Sequence, residues 1–174
     1  DGNKYAKRLV RLTKGLENYD GMNLNFKVYL VTDINAYAMP DCTVRVFSSL
    51  MDLLDVYELM YIIGHEIGHV KFKHSYDQMR TAMISQSTMS LLGQSGGNVG
   101  VVVDSQLGQL AYRFINTQYS QSDELESDAF SVPFLLQQGI DPSASVRAIK
   151  VLQKEFGDSN SFLSSHPSNP KRIE

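Results

Sequence analysis

The chain has 174 residues, of which 43% are apolar and 20% are charged. This length suits one domain with a real core, so we expect residues 1–174 to form a single domain. The formal net charge of −3 argues against a general nucleic-acid binder. The single cysteine excludes an internal disulfide. The apolar runs fall short of the roughly 20 residues of a transmembrane helix, so we expect membrane association only through a segment outside this chain.

The first predicted element is an amphipathic helix over residues 3–18. Its apolar positions have the spacing of one helix face, and they are Tyr5, Leu9, Leu12 and Leu16. Basic residues occupy the other side, which is typical of a solvated face on a packed helix; a membrane-surface helix is the alternative. Residues 18–21, Asn-Tyr-Asp-Gly, predict a turn.

A small, mainly antiparallel sheet is predicted next. Residues 26–31 alternate in polarity and are rich in β-forming side chains, which indicates a strand. Two further β-prone runs, residues 35–39 and 43–47, flank Pro40-Asp41 and predict a hairpin. Residues 48–54 predict one or two helical turns.

The motif His65-Glu-Ile-Gly-His69 follows on a predicted helix. Residues four apart share a helix face, so both imidazoles can reach one metal ion, with Glu66 beside it. This spacing is typical of zinc hydrolases, in which two histidines bind the metal and the glutamate takes a proton from the metal-activated water.

The flanking residues favour a helix here. Asp55 and Glu58 form the Asp-x-x-Glu pattern of a capping box, which predicts a helix start at Val56. Gly64 and Gly68 each cost about 1 kcal/mol relative to alanine inside a helix. Two glycines four residues apart therefore indicate that another backbone packs closely against this helix.

The pattern beyond this helix is weaker. Residues 75–92 predict a helix whose methionines fill a core or a lid. Residues 93–98 are rich in glycine and predict a loop, and residues 107–119 again indicate a helix. His74 is not expected to be a metal ligand, because a continued helix would turn it to a different face from His69.

A catalytic zinc usually has three protein ligands, and the acidic run at residues 123–128 offers the third. Glu124 and Asp128 share a helix face, so Glu124 could bind the metal while Asp128 accepts the spare N–H of a ligating histidine. Glu126 lies on another face and is the weaker alternative. An acidic, solvated helix start favoured by the helix dipole would also explain these residues.

Together these motifs resemble the metallopeptidase family that includes HtpX, the type I CAAX prenyl endopeptidase and Oma1, and within it the periplasmic LoiP–BepA type. The similarity covers most of the chain. It is carried by residues 35–39, 44–52, 64–70, 119–120, 124–130 and 165–168, together with Arg172. Two positions depart from the family pattern: Ser127 stands where alanine is common, and Gln121 where arginine is frequent.

The resemblance implies a zincin-like α+β fold of the gluzincin type, with one Zn²⁺ held by His65, His69 and Glu124. It implies that Asp128 supports a ligand, and that Arg172 is a cation near the site, although a solvated tail residue is the alternative. His166 is similar to the family histidine that approaches the metal, where it would stabilise the oxyanion or plug the open position. A capping histidine in a polar turn is the alternative for His166.

The expected activity is a zinc endopeptidase that acts on unfolded or misassembled envelope proteins. Glu66 would serve as the base, and zinc with His166 or Tyr119 would hold the oxyanion. The strand that begins at Asn35 and Ala36 could pair with an extended substrate. The competing hypothesis is a metal-bound chaperone or assembly factor whose peptidase activity is latent. Bacterial envelope localisation, in the periplasm or as an outer-membrane lipoprotein, is implied by the resemblance alone.

Overall fold

The computed structural model describes residues 3–92, 118–156 and 161–167. The helices in these ranges are α1 Lys4–Leu12, α2 Ser48–Leu53, α3 Val56–Lys71, α4 His74–Leu92, α5 Gln121–Gln137, α6 Ser143–Phe156 and α7 Ser161–Ser165. The strands are β1 Asn18–Tyr19, β2 Met22–Asn23, β3 Asn25–Tyr29, β4 Ala36–Ala38 and β5 Thr43–Phe47. The predicted α+β class is confirmed. The loop predicted at 93–98, and the predicted helix at 107–119 up to residue 117, lie outside the described residues.

The first helix is shorter than predicted. The amide and the hydroxyl of Thr13 both donate to the carbonyl of Leu9, at 2.9 Å and 3.0 Å. Gly15 then adopts φ +88°, a conformation that an α-helix cannot contain. The predicted turn at residues 18–21 is confirmed, and it joins β1 to β2 in a short hairpin that the sequence analysis did not predict.

The main sheet has the strand order β3-β5-β4. Strands β4 and β5 pair antiparallel, which confirms the predicted hairpin. Strand β3 pairs parallel with β5, so this sheet is mixed, whereas the sequence had indicated mainly antiparallel pairing. Strand β5 occupies the centre, with Val44 and Val46 fully buried, whereas the outer strand β3 has exposed and half-buried positions.

Helix α3 begins at Val56, as predicted, and it carries the capping box. The Asp55 carboxylate accepts from the backbone N–H of Glu58, and the Glu58 carboxylate accepts from the N–H of Asp55, at 2.8 Å and 2.9 Å. Every residue from Glu58 to His69 is buried, because α3 packs against α5, α6 and β4. Within the described ranges, we find no helix with the length and apolar character needed to cross a membrane.

The two glycines of α3 mark its close contact with α5. A Cβ atom on Gly64 would lie 2.4 Å from Cδ1 of Phe134. A Cβ atom on Gly68 would lie 3.0 Å from Cα of Ser127. The predicted close approach of another backbone is therefore confirmed, and α5 is the helix that makes it.

Gly64→Ala is expected to lower the free energy of unfolding by about 1–3 kcal/mol, because the added methyl overlaps the buried ring of Phe134. The gain in helix propensity, about 1 kcal/mol, offsets only part of this cost. Chemical denaturation measures the change. Combining Gly64→Ala with Phe134→Leu should cost less than the sum of the two single changes. Simple additivity would contradict the proposed clash.

Candidate metal centre

Four buried side chains converge where α3, α5 and the chain after α7 meet. His65 and His69 come from one face of α3, Glu124 from the first turn of α5, and His166 from the residue that follows α7. Each offers one ligand atom, and these atoms lie within 4.8 Å of one another. All four side chains are fully buried. The predicted ligands His65, His69 and Glu124 are thus brought together.

The spacing of these atoms fits a tetrahedral cation. Nε2 of His65 lies 3.0 Å from Nε2 of His69 and 3.4 Å from Oε2 of Glu124. Nε2 of His69 lies 3.2 Å from Oε1 of Glu124. Four ligands bound at zinc distances around a tetrahedron would be about 3.3–3.4 Å apart. The donor set of imidazole nitrogens and one carboxylate is also one that zinc accepts.

Asp128 holds the far side of His65. Its Oδ1 lies 2.8 Å from Nδ1 of His65 and accepts a hydrogen bond from the Tyr61 hydroxyl at 2.7 Å. An imidazole whose Nδ1–H is held by a carboxylate presents Nε2 to a metal in a fixed orientation. The contact agrees with the support predicted for Asp128 and identifies His65 as the histidine concerned.

His74 and Glu126 meet on the far side of His69. Nδ1 of His74 lies 3.0 Å from Nδ1 of His69, and Nε2 of His74 lies 3.0 Å from Oε2 of Glu126. Glu126 therefore points away from the four converging atoms. His74 approaches His69 because α3 ends at Lys71, and Lys73, at φ +64°, turns the chain into α4. The sequence analysis missed this contact because residues 70–73 contain neither glycine nor proline to signal the break.

His166 is held by packing and by backbone hydrogen bonds around α7. Its ring stacks on Phe162, with 4.5 Å between centroids, and its amide donates to the Phe162 carbonyl at 2.7 Å. Nδ1 of His166 lies 3.3 Å from Nε2 of His65 and 3.0 Å from Oε1 of Glu124. The side chain of His166 is therefore buried among the converging atoms.

Glu66 lies beside this cluster. Its Oε1 is 3.3 Å from Nε2 of His166. Among the described residues, neither of its carboxylate oxygens has a partner with hydrogen-bond geometry, although both are buried. Burial of this carboxylate is costly, and the neighbouring imidazoles and the backbone N–H of Ala38 offset part of that cost. The carboxylate therefore keeps hydrogen-bonding capacity for a molecule that enters the site.

Burial and neighbouring charges set the protonation of the cluster. Burial alone would lower the pKa of His65, but the carboxylates of Glu124 and Asp128 outweigh it and raise that pKa to about 9. Burial holds the pKa of His69 well below its usual value and raises that of Glu66. Burial would also raise the pKa of Glu124, but His166 and His65 hold it well below its usual range. A cation bound here would compete with protons for the same ligand atoms, since metal binding releases protons from its ligands.

The residues predicted to contact substrate lie at the edge of this cluster. Asn35 and Ala36 are buried, and the Asn35 side chain accepts from the Ala36 amide at 2.9 Å. The Tyr119 ring stacks on His69 at 3.8 Å between centroids, and its hydroxyl is 2.9 Å from Oγ of Ser75. Tyr119 lies outside any helix, and Arg172 lies outside the described residues. Substrate contacts at these positions stay predictions.

A cleft of about 550 Å³ borders the cluster at His69. Its walls are the β1–β2 hairpin, the turn after β4, the end of α3 and the start of α4. They include Met22, Met39, Val70 and Tyr76. This cleft was not predicted, because its walls come from segments far apart in the chain.

We expect Glu124→Gln to lose most bound metal, because the neutral amide replaces the only carboxylate among the converging atoms. Glu126→Gln should still bind one metal ion per chain at saturating metal, because its side chain contacts His74 instead. Inductively coupled plasma mass spectrometry on both variants, purified alike, measures the metal content. Loss of metal from Glu126→Gln, with metal retained by Glu124→Gln, would assign Glu126 as the third ligand instead.

Comparison with known proteins identifies the family. The model of peptidase family M48 matches residues 6–174. Metalloprotease LoiP of Escherichia coli (strain K12) is 37% identical over 98% of this chain and 69% of its own length. Metalloprotease YcaL of the same strain is 35% identical over 98% of this chain and 68% of its own length. Mitochondrial metalloendopeptidase OMA1 of Bos taurus is 25% identical over 87% of this chain and 32% of its own length. The chain therefore belongs to peptidase family M48 and is a metalloendopeptidase.

Proposed function

We propose that the chain is a zincin-like endopeptidase in which His65, His69 and Glu124 hold one Zn²⁺ and Glu66 is the general base. The observation that carries this proposal is the convergence of the side-chain atoms of His65, His69 and Glu124, which lie 3.0–3.4 Å apart. Beside them is the buried carboxylate of Glu66, whose oxygens make no hydrogen bond of normal geometry to a described residue. Zinc, when bound, supplies a Lewis acid that lowers the pKa of water towards about 7 and polarises a peptide carbonyl.

Glu66 would move the protons in this reaction. It would accept a proton from the attacking water and deliver it to the leaving amine. Burial raises the pKa of the Glu66 carboxylate, which suits a group that must both take and return a proton near neutral pH. His166 Nε2, which is 3.3 Å from Glu66 Oε1, could donate to the developing oxyanion.

The substrate would be an extended polypeptide. Strand β4 is the outer strand of its sheet and packs against helix α3, so its outer edge could pair with a peptide backbone near Asn35 and Ala36. The cleft at His69 could receive side chains beyond the scissile bond, and Tyr119 would flank the bound peptide. We extend this proposal to unfolded or misassembled proteins of the bacterial envelope on the strength of the family resemblance.

The second candidate is a metal-bound chaperone or assembly factor with latent peptidase activity. It is favoured by one observation: Nδ1 of His166 lies among the ligand atoms, 3.3 Å from His65 Nε2 and 3.0 Å from Glu124 Oε1. A zinc ion with four protein ligands is of the structural kind and has no position for water. Removal of His166 would then open the site.

Glu66→Gln should keep one zinc per chain and lose peptidase activity, because the amide preserves the shape of the side chain and cannot accept the proton. Casein cleavage and zinc content are measured on the same preparation, with the wild-type chain plus chelator as the inactive reference. Cleavage at the wild-type rate would rule out Glu66 as the base.

The second candidate predicts that His166→Ala cleaves casein faster than the wild-type chain, because the change would free the fourth position of the cluster. The cleavage must be abolished by a chelator, and Phe162→Leu serves as a control that loosens the packing of His166 without removing its nitrogen. A fall of about 10²–10³-fold in kcat would instead assign His166 to oxyanion stabilisation and defeat the latent form.

A further inference from the structure

The structure contains a second carboxylate-to-histidine connection, on the opposite side of the cluster from Asp128. It runs from Glu126 through His74 to His69, with 3.0 Å at each of its two contacts. His74 is buried, whereas more than half of the Glu126 side chain is exposed. The activity proposed above uses neither residue.

Hydrogen-bonding rules determine which nitrogen atoms of His74 and His69 carry a proton. An ionised carboxylate can only accept, so the proton between Glu126 and His74 belongs to Nε2 of His74. The Nδ1 atom of a neutral His74 then carries a lone pair and must accept from Nδ1–H of His69. That leaves the lone pair of His69 on Nε2, the atom that lies 3.2 Å from Glu124 and 3.0 Å from His65.

We propose that His74 and Glu126 are positioning residues that hold His69 in the tautomer and orientation needed to bind metal. The inference rests on the proposed ligand role of His69. It gives α5 three functions in one short stretch: Glu124 is the ligand, Asp128 orients His65, and Glu126 orients His69 through His74.

The surroundings of His74 favour this role over simple packing. The Tyr119 ring stacks on the face of His69, which fixes the plane of the imidazole. The Nδ1–H group at the edge of that ring then needs a hydrogen-bond acceptor. Ser75, next to His74, is bonded to the Tyr119 hydroxyl, so the start of α4 contacts both the ring that stacks on His69 and the edge of His69. A buried Nδ1–H without an acceptor would be costly, and Nδ1 of His74 supplies that acceptor.

Zinc release to a chromogenic chelator tests the proposal. His74→Leu should release zinc about 10–100-fold faster than the wild-type chain, which is the usual effect of losing such a partner. His74→Asn should restore much of the slow release, because its amide oxygen can accept from His69. Glu126→Ala should change the rate in the same direction as His74→Leu. Asp77→Ala is the matched control, since it removes an exposed acid one turn further along α4, and it should release zinc like the wild-type chain.

Nitrogen NMR of the zinc-loaded wild-type chain provides a readout that needs no variant. We expect a proton on Nδ1 of His69 and a scalar coupling across the hydrogen bond to Nδ1 of His74. Absence of that proton, or wild-type release from His74→Leu, would overturn the proposal. His69→Ala distinguishes the ligand role of His69 from the positioning role of His74 and Glu126. If it retains zinc with the wild-type release rate, the ligand assignment itself fails; if it loses zinc while His74→Leu behaves as wild type, only the positioning role fails.

Discussion

The site depends on the close approach of α3 and α5. Gly64 and Gly68 remove the side chains that would separate the two helices, and Phe134 and Ser127 of α5 occupy the space. This contact places the carboxylate of Glu124 within reach of His65 and His69 of α3. A larger residue at either glycine would push α5 away, and Glu124 and Asp128, which contact the two imidazoles, would move with it. The packing of the two helices therefore sets the geometry of the proposed metal site.

The second constraint is electrostatic. Two glutamates and three histidines are fully buried in one cluster, and isolated charges in such a place are strongly unfavourable. In the metal-free chain burial opposes the charged form of His65, but the carboxylates of Glu124 and Asp128 favour that form, outweigh the effect of burial and raise the pKa of His65 to about 9. In the proposed zinc state a divalent cation would supply positive charge to balance the carboxylates of Glu66 and Glu124. The same burial that makes the cluster costly makes it selective for a cation.

Sequence reasoning succeeded where the signal is local. The capping box, the two-histidine spacing and the glycine pair each lie within one helix, and all of them appear in α3 as expected. It failed where the outcome depends on distant partners. The parallel pairing of β3 with β5 joins two strands that are separated in the chain by β4. The contact of His74 with His69 arises from a helix break that no glycine or proline marks. His166 lies far along the chain from His65, His69 and Glu124, so only the family resemblance could suggest its place.

The most direct test of the account is a crystal structure of the zinc-loaded chain with anomalous data on both sides of the zinc edge. We predict one zinc peak per chain, about 2.0–2.2 Å from Nε2 of His65, Nε2 of His69 and a carboxylate oxygen of Glu124. A zinc peak elsewhere in the chain, or one bound to the two histidines with Glu124 turned away, would contradict it.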